Sequence, residues 1–401
     1  MATHYQILVI GGGNAGLSVA SQLLRKRSNL NIGIIDPSEK HYYQPAWTLV
    51  GAGIFDINKT IRNEKEVIPK NTTWIKAAVS EFMPNENKVK CLSGDEFTYD
   101  YLVVCPGIQL DWNKIKGLKE TLGKNNVSSN YSFQHPPYTW ELIKNFKGGT
   151  AVFTNPTTPI KCGGAPHKIM YLAVDYWRKQ GILDKCDVHY LSGATVIFGV
   201  KEYAATLTEV IKRGNIKVHF GVNVNEIDAA NKTLFYEEKN QVGEVERKSM
   251  NFDLCHVVPP QSAPDFIKNS PLRDPQNPLG YVEVDKNTLQ HIRFSNVFAL
   301  GDCINVPCSK TGAAIRKQAP VVVENLLAIM DKKTVTAQYD GYSACPIPTQ
   351  YGKLMLAEFD YTNTPKMTFP FNQAKPNWAM WILKTKILPW LYWNKILKGT
   401  A

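Results

Sequence analysis

The sequence has one glycine-rich nucleotide loop where a second could be sought, and it has no pair of cysteines at Cys-x-x-Cys spacing. That spacing is the mark of zinc ribbons and thioredoxin-type dithiols, so neither is expected, and no metal is assigned. Eight cysteines in 401 residues do not make a secreted disulfide framework. No stretch approaches the ~20 apolar residues of a membrane-spanning helix. No helix-turn-helix, zinc finger or RNA-binding signature occurs, and the basic residues are scattered, so nucleic acid is not an expected partner. Internal repeats and low-complexity segments are also missing. A strand is reached by Tyr5, which leaves no room for a signal peptide or transit segment; a cytosol- or matrix-facing protein is expected.

What is present fits two or three ordinary globular domains: 401 residues, 44% hydrophobic and 20% charged. The net charge of +11, from 46 Lys+Arg against 35 Asp+Glu, favours an anionic surface or small anionic substrates. Residues 5–10 (Tyr-Gln-Ile-Leu-Val-Ile) read as a buried strand, and residues 17–24 as a helix. Between them Gly11, Gly13 and Gly16 fit Gly-x-Gly-x-x-Gly: tight turn, close approach of a pyrophosphate, and close helix–strand packing. A second strand over residues 31–35 ends on Asp36, 20 residues after Gly16, where a carboxylate would accept ribose hydroxyls. Residues 41–47 (His-Tyr-Tyr-Gln-Pro-Ala-Trp) read as an aromatic loop suited to wall a flavin, or as a core cluster at Tyr42 and Tyr43. Short strands are expected at residues 72–75, 77–79, 88–90, 97–99 and 101–104. The last runs into Cys105-Pro106-Gly107, where Cys105 reads as a structural thiol.

A second strand–turn–helix lies at residues 150–177. In flavoproteins with two dinucleotide folds this turn would carry a second glycine loop for NAD(P)H. Here it holds Asn155-Pro156 and then Thr158-Pro159-Ile160-Lys161-Cys162-Gly163-Gly164-Ala165-Pro166-His167. Proline lacks an N–H, so this turn cannot offer a row of donors to a pyrophosphate. Electrons are expected to enter through a thiol, not from a nicotinamide. Strands at 188–191 and 217–220 and a helix at 204–213 fill out this unit. Residues 296–302 then read as an apolar strand ending on Gly301-Asp302; in FAD proteins of this architecture that acid binds the ribityl chain. The helix expected over about residues 310–330 points its positive end at the flavin and should kink at Pro320. Cys303 and Cys308, with four residues between them, read as structural thiols.

The glycine loop with Asp36, Lys161-Cys162-Gly163-Gly164-Ala165-Pro166, Ala299-Leu300-Gly301-Asp302-Cys303, Tyr339-Asp340-Gly341-Tyr342-Ser343-Ala344-Cys345-Pro346 and Leu356-Ala357-Glu358-Phe359-Asp360-Tyr361 together resemble sulfide:quinone oxidoreductases, type II branch, which includes the mitochondrial enzymes. The resemblance runs from residue 5 to about 398. It implies an α/β fold with two Rossmann-like FAD/NAD(P)-type domains and a membrane-associating C-terminal region. The implied divisions are residues 1–110 and 286–335 for FAD, 111–285 for a second Rossmann-like domain carrying Cys162, and 336–401 for the C-terminal region with Cys345. By position, Cys162 matches the redox cysteine beside the flavin and Cys345 the cysteine that holds the substrate sulfur. Asn14, Ala15, Asp36, Gln44, Val79, Asp302 and the helix start near Gly312 match positions lining FAD.

The resemblance implies that hydrosulfide opens a Cys162–Cys345 disulfide, leaving a persulfide on Cys345 and a thiolate on Cys162. Two electrons then pass through FAD to a membrane quinone. Sulfite, glutathione or another sulfide takes the outer sulfur. Phe359, Tyr361, Phe369 and Phe371 are candidates for the quinone pocket, or else core packing. Residues 375–401 hold four of the nine tryptophans (378, 381, 390, 393), five lysines (375, 384, 386, 395, 398) and no acid. Two short amphipathic helices, at 377–386 and 389–398, are expected to lie in the membrane surface, with tryptophan at the lipid boundary and lysine towards headgroups. The alternatives are a helix packed on the domain or a homodimer interface. The implied location is the cytoplasmic face of a bacterial membrane or the mitochondrial inner membrane, as a peripheral protein. Rival readings are a type II NADH dehydrogenase, which needs the missing loop, a non-catalytic redox-sensing flavoprotein, and a flavocytochrome sulfide dehydrogenase subunit, which would carry an export signal.

Overall fold

Apolar runs that bury both faces give parallel strands here, and two such sheets organise the chain. The computed structural model describes residues 2–240 and 242–401. In the first sheet Thr73–Ile75, Ile32–Ile35, Thr3–Ile10 and Glu96–Val104 lie side by side in parallel. The two strands read separately at 97–99 and 101–104 are one nine-residue strand, because Asp100 in its middle is exposed and needs no break. That strand changes partners halfway. Its first half pairs antiparallel with Lys88–Cys91, which pairs in turn with Val79–Met83; its second half pairs parallel with Val297–Ala299. Residues 77–78, expected to start a strand, do not; the strand begins at Val79.

The second sheet is wholly parallel, in the order Val127–Ser128, Leu254–His256, Gly149–Asn155, Cys186–Ser192, Lys217–Phe220. An antiparallel meander, Asn223–Asp228, Thr233–Lys239 and Val245–Asn251, is inserted in the chain between its strands Lys217–Phe220 and Leu254–His256, and sequence reasoning missed it. Its last strand is mostly polar and exposed, so no alternating pattern marks it. Residues 263–289 bring Ala263, Ile267, Leu272, Val282 and Leu289 into the core of the first sheet. Four of these five precede the boundary expected at 285.

A hairpin, Ser343–Gln350 with Lys353–Phe359, carries Cys345 and packs against the helix Ala165–Lys179. The helix Gly312–Met330 runs unbroken past Pro320, with the Thr311 side chain capping it at the Ala314 N–H. The tail is one continuous helical run from Trp378 to Ile396, not two helices. Wider i→i+5 turns at Leu383–Ile387 and Tyr392–Ile396 flank Pro389, which sits in the first turn of Leu388–Leu391, where its missing N–H costs little. None of the helices among the described residues is long and apolar enough to cross a membrane.

Candidate active site

The first glycine loop is built as its spacing demands. Gly11 takes a left-handed φ of +109°, and a Cβ on Gly16 would lie 1.9 Å from the Gly11 carbonyl oxygen, so the helix Asn14–Lys26 can sit on its strand only with glycine there. A Cβ on Gly13 would meet nothing, which leaves that side open to a ligand. Asn14 Oδ1 is buried without a partner. A Cβ on Gly301 would lie 3.5 Å from Ala15, and one on Gly312 3.6 Å from Asn14 Nδ2. The loop, Gly301-Asp302 and the start of the Gly312–Met330 helix thus converge. Asp36 accepts from the Gly12 N–H at 2.6 Å and the Ser38 N–H at 2.7 Å, and so braces the loop. An open glycine face, an orphaned amide oxygen and a helix start at one place fit a dinucleotide such as FAD. Val79 lies in the core of the first sheet.

Residues 41–47 are more structured than an aromatic loop. Lys40–Tyr42 pairs with Ile61–Asn63, and Gln44–Ala46 turns once before the short helix Trp47–Val50. Tyr43 is a core residue, its ring tilted against that of Tyr392 at 4.7 Å, while Tyr42 packs on Phe133 and Trp47. Gln44 accepts from Lys161 Nζ at 2.6 Å, which brings this turn to the cysteine loop.

Cys162 has a left-handed φ of +57°, a conformation a side chain resists by about 1–3 kcal/mol. Two bonds hold it: the Cys162 N–H donates to the Lys310 carbonyl at 2.7 Å, and the Ala165 N–H donates to the Cys162 carbonyl at 2.8 Å. The helix Ala165–Lys179 starts immediately after it, so its positive end favours a thiolate. Lys168 Nζ lies 2.9 Å from Cys162 Sγ. Cys345, fully buried on its hairpin, lies beside Cys162, and both thiols are free. The Cys345 contact, with Lys168 second against the opposing cost of burial, holds the Cys162 thiol well below the usual cysteine range. The same contact and burial push Cys345 well above it. Burial works against the Lys168 ammonium, but the two sulfurs hold its pKa above the ordinary lysine value.

A second lysine arrives from the tail. Lys384 is 3% exposed and donates to the Pro45 carbonyl at 2.8 Å. Burial first, then Lys168, pull its pKa down to about 7, while Cys162 and Cys345 oppose that. The expectation that all five tail lysines face headgroups is therefore corrected for Lys384, which is buried against the Pro45 carbonyl. Lys161 falls to about 8 through burial, opposed by Asp302. Burial raises Asp302 itself, with Lys310 and Lys161 opposing. Neither Lys168 nor Lys384 was singled out from sequence. Lys168 had a usable signal, since it follows Cys162 by six residues in the first turns of the helix; Lys384 had none.

Burial raises the thiols of the other six cysteines. Cys105 is buried at 3.7 Å from the Gly11 carbonyl oxygen, and burial pushes its thiol well up. Burial likewise lifts Cys303 to about 12. Cys308 accepts from Gln318 Nε2 at 3.7 Å. The four quinone-pocket candidates separate. Phe359 is buried edge-on to Phe198, and Tyr361 packs on Tyr339 with its hydroxyl donating to the Lys286 carbonyl. Phe369 and Phe371 form a stacked pair 5.5 Å apart, with Phe371 exposed. No cluster of metal-ligating side chains exists among the described residues.

Two Rossmann-like sheets, a dinucleotide cradle on the first and a cysteine pair beside it define a flavoprotein of the disulfide-oxidoreductase class. Residues 5–138 match the pyridine nucleotide-disulphide oxidoreductase family model. Over 396 residues the chain is 42% identical to the mitochondrial sulfide:quinone oxidoreductase of Mus musculus, covering 99% of this chain and 87% of the relative. It is 47% identical to that of Dictyostelium discoideum, covering 98% and 86%. Among solved structures, a chain of the Tetrahymena thermophila mitochondrial ATP synthase tetramer superposes with TM-score 0.87 at 20% identity, covering 100% of this chain and 97% of that one. The Aquifex aeolicus sulfide:quinone oxidoreductase does so with TM-score 0.80 at 20% identity, covering 100% and 92%. The chain belongs to the sulfide:quinone oxidoreductase family, whose cofactor is FAD.

Proposed function

We propose that this chain oxidises sulfide at Cys162 and Cys345 and delivers the electrons to quinone. The observation that carries the reading is the contact of two cysteines from distant segments, with Lys168 on one sulfur and Lys384 close by. Gly11, Gly13, Asn14, Ala15, Gly16, Asp36, Gln44, Gly301, Asp302 and Gly312 would hold FAD, which supplies two-electron acceptance between the thiol pair and quinone. Hydrosulfide attacks Cys345 Sγ of the disulfide. The new S–S bond makes a persulfide there, the Cys162–Cys345 bond breaks, and Cys162 leaves as thiolate. A thiol of lowered pKa leaves faster, and the Lys168 ammonium 2.9 Å away holds the charge. A sulfur acceptor such as sulfite, glutathione or a second sulfide then takes the outer sulfur from Cys345. Re-forming the Cys162–Cys345 bond releases two electrons. Lys168 and Lys384 also favour entry of sulfide as its anion.

Quinone must come from a bilayer, and the tail offers a face for one. Trp378, Ile387 and Trp390 are 66%, 48% and 55% exposed, while Trp393 is buried and Trp381 packs against Tyr351. Apolar side chains of this size in water, with Lys375, Lys386, Lys395 and Lys398 around them and no acid, suit an anionic lipid surface. The mitochondrial names of the mouse and Dictyostelium relatives favour the mitochondrial inner membrane over a bacterial one. Of the four aromatic candidates, Phe369 and Phe371 remain the pair open to quinone. Replacing both Trp378 and Trp390 with alanine is expected to weaken binding to anionic vesicles at least about tenfold in a sedimentation assay, since each buries about 1.5–3 kcal/mol of apolar surface.

The experiment for the main reading is anaerobic stopped-flow absorbance of the FAD-loaded protein with sulfide, then with a soluble quinone. Bleaching by sulfide and recovery with quinone are expected, and NADH should leave the flavin oxidised. A flavin bleached by NADH and indifferent to sulfide would overturn the reading.

A further inference from the structure

A second carboxylate lies at the first glycine loop. Glu64, 2% exposed, follows the strand Ile61–Asn63, and its Oε1 has no hydrogen-bond partner. A Cβ placed on Gly12 would lie 2.7 Å from that oxygen and 3.2 Å from Asp36 Oδ2, so Glu64 and Asp36 flank the same glycine. The other oxygen, Glu64 Oε2, is 3.2 Å from His41 Nδ1, and His41 Nε2 is 2.6 Å from the Tyr392 hydroxyl. All three side chains are buried. In one tautomer Tyr392 donates to His41 and His41 donates to a Glu64 carboxylate. In the other, a protonated Glu64 Oε2 donates to His41 and His41 donates to Tyr392. Both leave Oε1 as an acceptor in want of a donor.

A buried acceptor left unpaired costs about 1–3 kcal/mol, and a native fold rarely keeps one without a use. Burial, then the nearby Asp36, also push the Glu64 carboxyl above its usual range, so a donor at this point relieves both. The phosphates of a dinucleotide bring no donors; its ribose hydroxyls do. At the far end of the chain of bonds is the tail. Tyr392 and Trp393 pack against His41 and Tyr43, and Arg62 lies 4.3 Å over the Trp393 ring. The end of the tail is tied to the helix Asn14–Lys26 as well, where Ser21 Oγ donates to the Leu397 carbonyl at 2.7 Å.

We propose that Glu64 is a second ribose acceptor for the adenosine half of FAD, and that the Glu64–His41–Tyr392 chain couples FAD occupancy to the seating of the C-terminal helix. This rests on the assignment of FAD to the first glycine loop. It goes beyond that assignment in naming a residue outside the loop motif and a link to the membrane-facing tail. By linkage the effect runs both ways: what FAD does for the tail, the tail does for FAD.

The test reads binding, not turnover. FAD is titrated into FAD-stripped protein and followed by flavin fluorescence. Glu64→Gln and Tyr392→Phe are each expected to raise the FAD Kd about tenfold, within the ~5–150-fold range of such couplings. The double variant should lose less than the product of the two, because both break one chain. In the wild type, limited proteolysis of residues 378–401 should be slower with FAD than without, and Tyr392→Phe should shrink that difference. A Tyr392→Phe protein that melts earlier but keeps its FAD Kd within twofold overturns the coupling and leaves Tyr392 a packing residue. An unchanged Kd in Glu64→Gln overturns the ribose assignment. Wild-type protein that takes up no FAD would instead sink the cofactor assignment on which both depend.

Discussion

Cys162→Ala protein, loaded with FAD and mixed anaerobically with sulfide, is expected to keep its flavin oxidised, with the bleaching rate lowered at least about a thousandfold. Removing a nucleophile from a covalent mechanism costs on that scale, because the other parts of the machinery cannot act without it. Cys345→Ala should fall as far, since neither cysteine has a second partner for the disulfide: Cys105 and Cys303 are buried with their thiols pushed up by burial. The position of Cys162 makes the prediction specific. Its left-handed backbone is held by bonds to Lys310 and Ala165, neither of which uses the side chain, so the alanine variant should fold and bind FAD. Cys186→Ser, at the start of the strand Cys186–Ser192 in the second sheet, serves as the matched control and should bleach normally. Sulfide-driven bleaching at the wild-type rate in Cys162→Ala would remove the thiol pair from the mechanism.

The second large effect is on pH dependence. Lys168→Met removes a buried cation 2.9 Å from Cys162 Sγ. An opposite charge at this range moves a pKa by about 1–3 units. The Cys162 pKa, now well below the usual range, must therefore rise in the variant. The sign follows: thiolate is present above the pKa, so the acid limb of the kcat/KM profile moves to higher pH by about 1–3 units. Below the new pKa the rate falls about 10–1,000-fold, and raising the pH restores much of it. Lys168→Arg should shift the limb far less. A uniform loss at every pH would mean that Lys168 only packs.

The parts legible from sequence were those where backbone chemistry leaves a pattern. Gly11, Gly13 and Gly16 with Asp36 mark the loop because only glycine fits the turn and the close helix approach. Pro156 and Pro159 mark the missing second loop because proline has no donor to give. Cys162 and Cys345, 183 residues apart, were legible only through resemblance; nothing in their spacing brings them together. What was missed is what long-range packing decides. Lys384 reads as one more lysine of a basic tail, and only the seating of that tail buries it against the Pro45 carbonyl. His41, Glu64 and Tyr392 are likewise ordinary in sequence and meet only across the fold. The continuous tail helix was misread as two because Pro389 is a stop signal in an ordinary α-helix, and wider turns accommodate it here.

The partner change within Glu96–Val104 has a bearing on the birth of the protein. Half of that strand's second edge is filled by Val297–Ala299, some 190 residues later in the chain. During synthesis the first sheet therefore waits with an open edge at Leu102, Val103 and Val104 while the whole second domain emerges and folds. At ~5–20 residues per second that wait lasts roughly 10–40 seconds. Gly301, Asp302 and Gly312, which complete the cradle, leave the ribosome only after the strand Val297–Ala299 that closes that edge. Cofactor loading is thus a late, near-complete-chain event, and a shortage of FAD would leave a nearly finished protein, not a nascent one, exposed to chaperones and proteases.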